Sequence, residues 1–486
     1  MAGKLLSKSK YMNGLQCLKL LWLVCNDPQK VPPPDASTQR IFDQGHLVGE
    51  LAKKLFPNGI SIPHDDFMGN LYRTRELLPE RRPLFEAGIM TGGLYSRLDI
   101  LNPAGFFDWD IVEVKSSTGV KDENLHDVSF QKLCAEKQGL TINRCYLAFI
   151  NNQYVKNGEI DPAQLFTIQD ITAEVEEASR GIQDRIQSML RTIASRQCPE
   201  LSVDVRCNSP YDCSVKLCWE ELPQNNIFSL YRGGKKCFEL FQKGVYYLKD
   251  IPGGYQLSRS QKIQQRCDID GALHIEGEAI RDFLGSLKQP LYYLDFETIN
   301  PAVPLFDGTK PYQKVPFQFS LHVAGGETTM QHYSFLADGP ADPRPGFLRR
   351  LKETIGDSGS IVTYNQSFEE GVLKELASAF PEYSAWVEGI RGRMVDLLKP
   401  FQSFHYYHPQ QNGSASIKHV LPALTGKGYE GMAIGDGEAA SLAFLNVTYG
   451  EVTEEERQQV RSDLEQYCGL DTEAMVRIVN KLREIA

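Results

Sequence analysis

The pattern of apolar positions in the last part of the chain begins with short continuous runs and ends in long helical repeats. Residues 291–296 form a short apolar and aromatic run, which predicts a buried strand. Residues 317–323 and 330–335 continue the pattern and are predicted to be antiparallel neighbours, and residues 360–364 predict a further strand. Because strands come first and helices last, we predict an α/β fold around a mixed sheet.

Helices are predicted over two segments of the same region. The first covers about residues 368–379 and stops before Pro381, because proline cannot continue a helix. The second covers about residues 453–485, where Thr453 and Glu456 have the spacing of a capping box.

The first half of the chain contains a helical repeat and two strand-like runs. One buried helix is predicted near the start by four apolar residues at helical spacing, Leu15, Leu18, Leu21 and Trp22. Lys19 interrupts this apolar run and no small-residue cleavage site follows it, so a signal peptide is not predicted. Residues 93–101 and 107–114 predict adjacent strands.

The length of 486 residues predicts two or three domains. We place a first domain at residues 1–220, a connector with glycine turn signals at residues 221–285, and a last domain at residues 286–486. Hydrophobic residues make up 42% of the chain, which is enough for buried cores and excludes wholesale disorder. The net charge of −10 argues against a generally basic nucleic-acid coat protein, although it is compatible with carboxylates that hold cations.

Cysteine content and hydropathy predict a soluble, cytoplasmic protein with no membrane partner. The 11 cysteines are an odd number, and their spacing is not that of a small disulfide scaffold. No stretch approaches the roughly 20 apolar residues that a membrane span requires.

Two carboxylates lie at the end of the first predicted strand of the last domain. Asp295 and Glu297 are two residues apart, so they are predicted to share one face of that strand. Two carboxylates on a buried strand are costly unless a cation lies between them, which predicts a metal site. An ordinary acidic pair at a solvent-exposed strand end is the alternative.

Three further polar residues fall on the predicted helices. Glu369 follows a strand-to-helix turn, where a carboxylate is also a common partner of the helix dipole. Tyr467 and Asp471 are four residues apart and therefore share a helix face. This spacing would let Asp471 bind a metal ion while the Tyr467 hydroxyl orients water, and a surface pair is the alternative.

The order of these residues resembles the motif set of the DEDD exonucleases, the superfamily that includes polymerase proofreading domains. The pattern D-x-E at Asp295 and Glu297 is followed by N-x-x-F-E, which ends at Glu369, and then by Y-x-x-x-D at Tyr467 and Asp471. The resemblance covers most of the last domain.

This resemblance implies an RNase H-like fold and a 3′–5′ exonuclease of the DEDDy branch. Asp295, Glu297, Glu369 and Asp471 are then expected to hold two Mg²⁺ or Mn²⁺ ions, which are hard cations that prefer oxygen ligands. Most members of the superfamily have aspartate where this chain has Glu369. Residues 416–421 also resemble the segment that these proteins carry between the second and third motifs.

A second acidic pattern lies in the first domain. Asp99 ends one predicted strand, and Glu113-Val114-Lys115 ends the next. The arrangement D…E-x-K resembles PD-(D/E)XK nucleases of the restriction-endonuclease-like fold. The resemblance implies one Mg²⁺ or Mn²⁺ on Asp99 and Glu113, with Lys115 positioning the attacking water. Gln131 on a following helix is a candidate auxiliary residue or, alternatively, a solvated helical glutamine, and Glu86 lies upstream.

Four cysteines flank the first domain, at Cys17, Cys207, Cys213 and Cys218. One cysteine before a nuclease core and three after it resembles Cas4-like and AddB-like nucleases, which implies a 4Fe-4S iron–sulfur cluster on the four thiolates. Thiolate tetrads also bind zinc, and three unrelated buried cysteines are a third interpretation.

The first domain departs from the RecB-family pattern in one respect. Those nucleases carry a metal-binding histidine four residues after a glycine, whereas the position four after Gly45 is Gly49. His46 and Glu50 are the candidates to replace that histidine.

Taken together, the chain resembles a bacterial family, the domain of unknown function 2779, in which a Cas4/RecB-like nuclease domain is fused to a DEDD exonuclease domain. We therefore expect a metal-dependent nuclease that acts on single-stranded ends, with DNA preferred to RNA by analogy. The alternatives are a chain in which only the exonuclease site is active, and a nucleic-acid-binding scaffold that retains nuclease folds.

Overall fold

The computed structural model describes residues 5–223, 225–325 and 330–486. The chain forms two compact units of mixed α/β structure. The first comprises Met1–Glu221 and Pro301–Tyr312, and the second comprises Leu222–Asn300 and Gln313–Ala486. Residues 221–285 were predicted to be a connector, but nearly all of this stretch folds as part of the second unit.

The first unit contains a seven-stranded sheet within its described residues, in the order β2-β3-β4-β5-β6-β7 with β1 beside β4. Its strands are β1 Leu6–Ser7, β2 Ile60–Ser61, β3 Leu84–Thr91, β4 Leu94–Ala104, β5 Asp108–Lys115, β6 Ile142–Ile150 and β7 Phe166–Asp170. The β3–β4–β5 strands are antiparallel, while β5 and β6 run parallel. The predicted strands 93–101 and 107–114 correspond to β4 and β5 and are confirmed.

Helices cover both faces of this sheet. They are α1 Lys8–Gln16, α2 Leu18–Asn26, α3 Ala36–Lys53, α4 Phe67–Leu77, α5 Asp122–Lys137, α6 Pro162–Leu165, α7 Thr172–Ala178, α8 Ile182–Ala194 and α9 Leu217–Glu220. Trp109 and Ile111 of β5 pack into the larger core with α5 and α8, whereas Val112 packs on the opposite face. Because side chains alternate along a strand, Glu113 points to the same face as Ile111, toward α5.

The single N-terminal helix that the sequence predicted is broken in two. Cys17 has extended backbone angles and separates α1 from α2. Leu21 is fully buried as expected, while Leu15, Leu18 and Trp22 are only partly buried. Apolar spacing alone does not reveal the break, because both helices keep their apolar residues in register with the core.

The second unit contains a five-stranded mixed sheet within its described residues, in the order β11-β10-β9-β12-β13, and a two-stranded β8–β14 pair. The strands are β8 His274–Ile275, β9 Leu291–Ile299, β10 Val315–Ala324, β11 Met330–Leu336, β12 Ser360–Thr363, β13 Met394–Asp396 and β14 Tyr406–Tyr407. The β9, β10 and β11 strands are antiparallel, and β12 runs parallel to both β9 and β13. The four strands predicted for this region are confirmed.

The helices of the second unit lie on both faces of its sheet. They are α10 Lys235–Gln242, α11 Arg259–Asp270, α12 Gly277–Gly285, α13 Arg344–Thr354, α14 Gln366–Ala379, α15 Ser384–Arg391, α16 Lys399–Gln402, α17 Ile417–Thr425, α18 Gly437–Tyr449 and α19 Glu454–Ile485. Leu291 and Tyr293 of β9 pack against α17 and α19, whereas Leu294 and Phe296 pack against α13 and α14. The capping box of Thr453 and Glu456 is present at the start of α19.

No helix among the described residues combines the length and the apolar character needed to cross a membrane.

Candidate functional site

Three carboxylates from two elements meet on one face of the second unit's sheet. Asp295 and Glu297 follow Tyr293 at alternating positions of β9, so they lie on the face that α19 covers. One ligand oxygen from each of Asp295, Glu297 and Asp471 lies within 4.8 Å of the others. Among the residues that the structure describes, this is the one group of three or more acidic, histidine or cysteine side chains with such spacing.

Burial raises the pKa of all three carboxylates, and neighbouring carboxylates raise the pKa values of Asp295 and Glu297 further. Burial, followed by the charges of Asp471 and Glu297, raises the pKa of Asp295 well above its ordinary value. Burial and then Asp471 raise the pKa of Glu297 to about 8. Burial raises the pKa of Asp471 to about 6, against a hydrogen bond from Tyr429 and the charge of Lys418, which lower it. The group therefore favours bound protons or a bound cation over free negative charge.

Glu369 is buried on α14 beside this group, with 2% of its surface exposed. It lies in the first turn of α14, which begins directly after Asn365, and the positive φ of 80° at Asn365 forms the sharp strand-to-helix turn. Burial and then the charge of Asp295 raise the pKa of Glu369. Its Oε2 has no hydrogen-bond partner, so one buried carboxylate oxygen is left for a cation.

Two tyrosines surround the Asp471 carboxylate. The Tyr429 hydroxyl donates to Asp471 Oδ1 at 2.5 Å. Tyr467 lies one helical turn before Asp471, is 4% exposed, and also hydrogen-bonds to its carboxylate. The Lys418 ammonium lies 5.6 Å from the centre of the Tyr467 ring and supplies positive charge to the group.

The start of α18 approaches the same group. Gly437 follows the N-cap Asp436, and a Cβ at Gly437 would lie 3.2 Å from Glu297 Oε2. A side chain at this position would crowd Glu297. On the other side, the Cys468 thiol lies 3.7 Å from Asp295 Oδ2.

The donor set fits a hard divalent cation. Asp295, Glu297 and Asp471 supply oxygen ligands on rigid elements, and the partnerless Oε2 of Glu369 adds a fourth buried oxygen donor. Three buried carboxylates and the partly buried Asp295 are costly without positive charge, and two divalent ions would balance their four negative charges. The predicted residues of the last domain are thus brought together, with Glu369 outside the 4.8 Å group.

The predicted residues of the first domain also meet, around Glu113. Asp99 Oδ2 accepts a hydrogen bond of 2.9 Å from the backbone of Val114. Glu113 and Gln131 are fully buried, and Gln131 Nε2 donates to Glu113 Oε2 at 2.6 Å. Lys115 Nζ lies 2.5 Å from Glu113 Oε1. Gln131 is therefore a buried part of this centre, and its interpretation as a solvated glutamine is wrong.

Two residues join this centre that the sequence did not single out. Asp127 is one turn before Gln131 on α5, and its Oδ2 lies 2.8 Å from Lys115 Nζ. Lys8 Nζ lies 3.0 Å from Glu113 Oε1. Burial lowers the pKa of Lys115, but the carboxylates of Asp127 and Glu113 outweigh this effect and hold it well above its ordinary value. Both lysines are therefore charged at neutral pH.

The candidates for the missing histidine lie elsewhere. His46 and Glu50 are exposed on α3, and Glu50 pairs with Lys53 at 2.5 Å. Glu86 pairs with Arg97 at 2.9 Å and with Lys53 at 3.6 Å. Glu50 and Glu86 thus belong to a charge network with Lys53 and Arg97, and His46 is an exposed residue of α3.

The four predicted cluster cysteines lie in one region of the first unit, each partly buried. Cys213 N donates to Cys207 O at 2.7 Å. Burial raises the pKa of the Cys213 thiol, and charges on Cys207, Cys17 and Cys218 raise it further. Soft thiol donors from separate segments fit a thiolate-bound metal, although no three of these sulfurs lie within 4.8 Å of one another.

A fifth cysteine, Cys198, belongs to the same region. It packs with Cys17 and Cys213 in a small apolar cluster. Burial raises the pKa of its thiol, the charges of Lys19 and Lys30 oppose this, and charges on Cys218 and Cys17 add to the rise. No spacing pattern in the sequence groups it with the other four. All eleven cysteines lie in the described residues and are free of disulfides.

Some of the site residues that were not predicted have a recognisable signal in the sequence, and others have none. Asp127 has i,i+4 spacing to Gln131, which was a usable signal. Lys418 lies inside the 416–421 segment that resembled exonucleases but had no role assigned. Lys8 and Tyr429 are single residues far from their partners in sequence, and no local pattern marks them.

A family of known proteins matches the part of the second unit that contains three of the acidic residues. Residues 292–416 match the family model described as a domain of unknown function (DUF2779), which confirms that part of the expected resemblance. The matched range contains Asp295, Glu297 and Glu369 and ends before Tyr467 and Asp471.

Similar proteins occur in two Mycoplasma species and in Ureaplasma parvum. An uncharacterised protein of Mycoplasma pneumoniae is 27% identical over 221 residues, which is 42% of this chain and 33% of that protein. An uncharacterised protein of Mycoplasma genitalium is 26% identical over 228 residues, 43% of this chain and 34% of that protein. One of Ureaplasma parvum is 26% identical over 223 residues, 41% of this chain and 32% of that protein. The match thus spans about a third of the length of these curated relatives.

Proposed function

We propose that this chain is a metal-dependent nuclease whose second unit is a 3′–5′ exonuclease with an RNase H-like fold. The observation that carries the proposal is the meeting of the partly buried Asp295 with the buried Glu297 and Asp471, whose ligand oxygens lie within 4.8 Å of one another. Their partners in the sequence motif, Glu369 and Tyr467, are buried beside them. The strand-first, helix-last mixed sheet supports the proposed fold.

Each residue has a chemical part in the proposal. Asp295, Glu297, Glu369 and Asp471 would hold two Mg²⁺ or Mn²⁺ ions. Such ions activate a water molecule and stabilise the leaving oxygen of a phosphodiester. The Tyr467 hydroxyl orients the attacking water from its position one turn before Asp471.

The proposed substrate is a single-stranded nucleic-acid end, with DNA preferred to RNA by analogy with Cas4-like and AddB-like nucleases. A 3′–5′ exonuclease must thread one strand past its carboxylates, which favours unpaired ends. The free state of all eleven cysteines is compatible with the cytoplasm as the proposed compartment.

The test compares the wild-type protein with Asp295→Asn on end-labelled single- and double-stranded DNA and RNA, with Mg²⁺ or Mn²⁺. The proposal is supported if the wild-type protein shortens the substrate stepwise from the 3′ end and if the rate of shortening falls by at least about 100-fold in Asp295→Asn. The matched control is Glu465→Gln, an exposed acidic change on α19. Full activity in Asp295→Asn overturns the exonuclease assignment, and binding without turnover favours the scaffold alternative.

A second nuclease centre is proposed in the first unit, of the PD-(D/E)XK type. It is favoured by the contacts of Glu113 with both Lys115 and Gln131, and by Asp99 on the adjacent strand. Asp99 and Glu113 would hold one Mg²⁺ or Mn²⁺, and Lys115 would position the attacking water. Cleavage that survives in Asp295→Asn and disappears on adding Glu113→Gln supports this centre, while an inert Asp295→Asn protein favours one active site.

We also propose a 4Fe-4S cluster on Cys17, Cys207, Cys213 and Cys218, with zinc as the alternative. The proposal is supported by the shared region of these thiols and by their mutual charge effects. Such a cluster would tie α1 and α2 to the segment that follows α8, because Cys17 separates those two helices.

A further inference from the structure

The described N-terminal segment carries a lysine into the Glu113 centre. Leu6 and Ser7 form β1, which pairs in parallel with Leu94 and Tyr95 of β4. Ser7 then caps α1, so that Lys8 is the first residue of that helix. The strand pairing and the helix cap hold the backbone next to Lys8 in a defined position. From this position the Lys8 side chain extends to Glu113.

Lys8 and Lys115 hold the same pair of carboxylates. Lys8 Nζ lies 3.0 Å from Glu113 Oε1 and 3.7 Å from Asp127 Oδ1. Lys115 Nζ lies 2.5 Å from the same Glu113 oxygen and 2.8 Å from Asp127 Oδ2. Two ammonium groups therefore place two positive charges on one buried carboxylate pair, which equals the charge of one divalent ion.

The balance of charge in this centre differs from that in the second unit. Asp99, Glu113 and Asp127 carry three negative charges against two from the lysines. Among described residues, no lysine, arginine or histidine lies within 4.0 Å of a carboxylate oxygen of the four acids of the second unit, Asp295, Glu297, Glu369 and Asp471.

One further atom marks the centre as a place for a cation. Gln131 is fully buried and donates through Nε2 to Glu113 and Asp127, at 2.6 and 3.1 Å. Its Oε1 has no hydrogen-bond partner. A buried carbonyl oxygen without a donor is a ligand for a hard cation, so the centre retains oxygen donors that the two lysines leave unused.

We propose that Lys8 is a tethered cation that competes with a divalent ion for Glu113, so that the first unit's centre binds Mg²⁺ or Mn²⁺ more weakly than it would without Lys8. The inference rests on the proposed metal site at Glu113. A divalent ion enters only by moving Lys8 off Glu113 Oε1, and the repulsion between the ion and a nearby ammonium opposes this entry. Lys8 is thus a positioning residue that sets the metal affinity of its centre.

The experiment measures Mn²⁺ binding to the full chain by titration calorimetry. The background is Asp295→Asn with Asp471→Asn, which removes the acidic group of the second unit. Adding Lys8→Met is expected to tighten Mn²⁺ binding by roughly tenfold or more, because a repelling charge is lost while the ligands stay. Lys8→Arg keeps the charge and is expected to bind as the background does.

Controls identify the site and guard against misfolding. Lys137→Met changes an exposed lysine on α5 and is expected to leave Mn²⁺ affinity unchanged. Glu113→Gln added to Lys8→Met is expected to abolish the tighter binding. If thermal melts show that Lys8→Met does not fold, Lys8→Gln replaces it.

The outcome is decisive in each direction. Mn²⁺ affinity of Lys8→Met within twofold of the background, weaker than it, or undetectable in both proteins overturns the role of Lys8. The proposed nuclease function is judged separately by cleavage of labelled DNA. A tightened Mn²⁺ affinity in a protein that cleaves nothing would support Lys8 and reject the function.

Discussion

The Tyr429 hydroxyl donates to Asp471 Oδ1, and the Tyr467 hydroxyl bonds to the same carboxylate from one turn earlier on α19. Asp471 therefore accepts hydrogen bonds from two tyrosine hydroxyls. Their hydrogen bonds oppose burial, and the pKa of Asp471, at about 6, stays below that of Glu297, at about 8. Asp471 is therefore the first of these two carboxylates to ionise as the pH rises.

Removing one of these donors should move the pH dependence of cleavage. Because the Tyr429 hydrogen bond lowers the pKa of Asp471, Tyr429→Phe is expected to raise it. The acidic limb of the rate–pH profile should shift upward by roughly half a pH unit or more. Initial rates on labelled single-stranded DNA across pH check this, with Tyr449→Phe at an exposed tyrosine as the control. An unmoved limb would separate Tyr429 from the ionisation of Asp471.

Glu369 should contribute to activity at the expense of stability. Its side chain is buried with a partnerless oxygen beside Asp295, so Glu369→Gln removes a buried charge that repels its neighbour. We expect an unchanged or higher melting temperature without divalent ions, and a loss of exonuclease activity of about 100-fold. Thermal melts and cleavage assays test both parts. Glu370→Gln, on the adjacent residue that pairs with Arg391, should retain activity.

The metal-free protein should become less stable as the pH rises. Glu297 and Asp471 have folded pKa values raised above their ordinary ones, so the folded state binds more protons than the unfolded state across that interval. The stabilisation is full below about pH 4 and is lost as the pH passes through about 6 for Asp471 and about 8 for Glu297.

Melting curves recorded with a chelator should show this loss. Between about pH 5 and about pH 8.5, the melting temperature is expected to fall by roughly 3 °C or more relative to Glu297→Gln. Saturating Mg²⁺ should remove most of the difference, because a bound cation replaces the protons. Equal slopes for the two proteins would show that Glu297 has no raised pKa.

The cysteine cluster gives a prediction that needs no nuclease assay. Anaerobically purified protein is expected to be brown, with absorbance near about 400 nm that bleaches on reduction. Cys207→Ser should lose the colour and melt at a lower temperature, while Cys25→Ser in the same unit should keep both properties. Colourless protein with stoichiometric zinc would replace the iron–sulfur proposal by the zinc alternative.

Hydrophobic periodicity was sufficient to predict the elements that carry the second unit's acidic group. The strands β9, β10, β11 and β12 and the helices α14 and α19 lie where apolar runs and capping residues placed them. These signals are local, since a strand or helix must present apolar residues at its own period to be buried. The spacing D-x-E and Y-x-x-x-D likewise follows from the geometry of one element.

Contacts between distant segments were not predictable in the same way. Lys8 reaches Glu113 across 105 residues, and Tyr429 reaches Asp471 across 42. A single lysine or tyrosine forms no periodic pattern, so the neighbouring sequence does not predict its tertiary contacts. The fold of residues 222–285 was missed for a related reason. Its small core around Ile227, Leu240 and Ile251 is assembled from short helices separated by turns, a pattern that resembles a linker when each piece is considered alone.

The two units are interleaved along the chain, because a segment of the first unit interrupts the sequence of the second. Pro301–Tyr312 is counted with the first unit, yet it lies between β9 and β10 of the second. Ala302 and Val303 pack there with Val48 and Ile150, and Lys156 Nζ pairs with Asp307 at 2.6 Å. Splitting the gene at any one codon therefore cannot yield both units intact. A fragment that ends near residue 221 lacks the segment Pro301–Tyr312, which contributes to the core of the first unit. The complementary fragment carries that segment with its apolar residues exposed. Separately expressed fragments are therefore expected to aggregate.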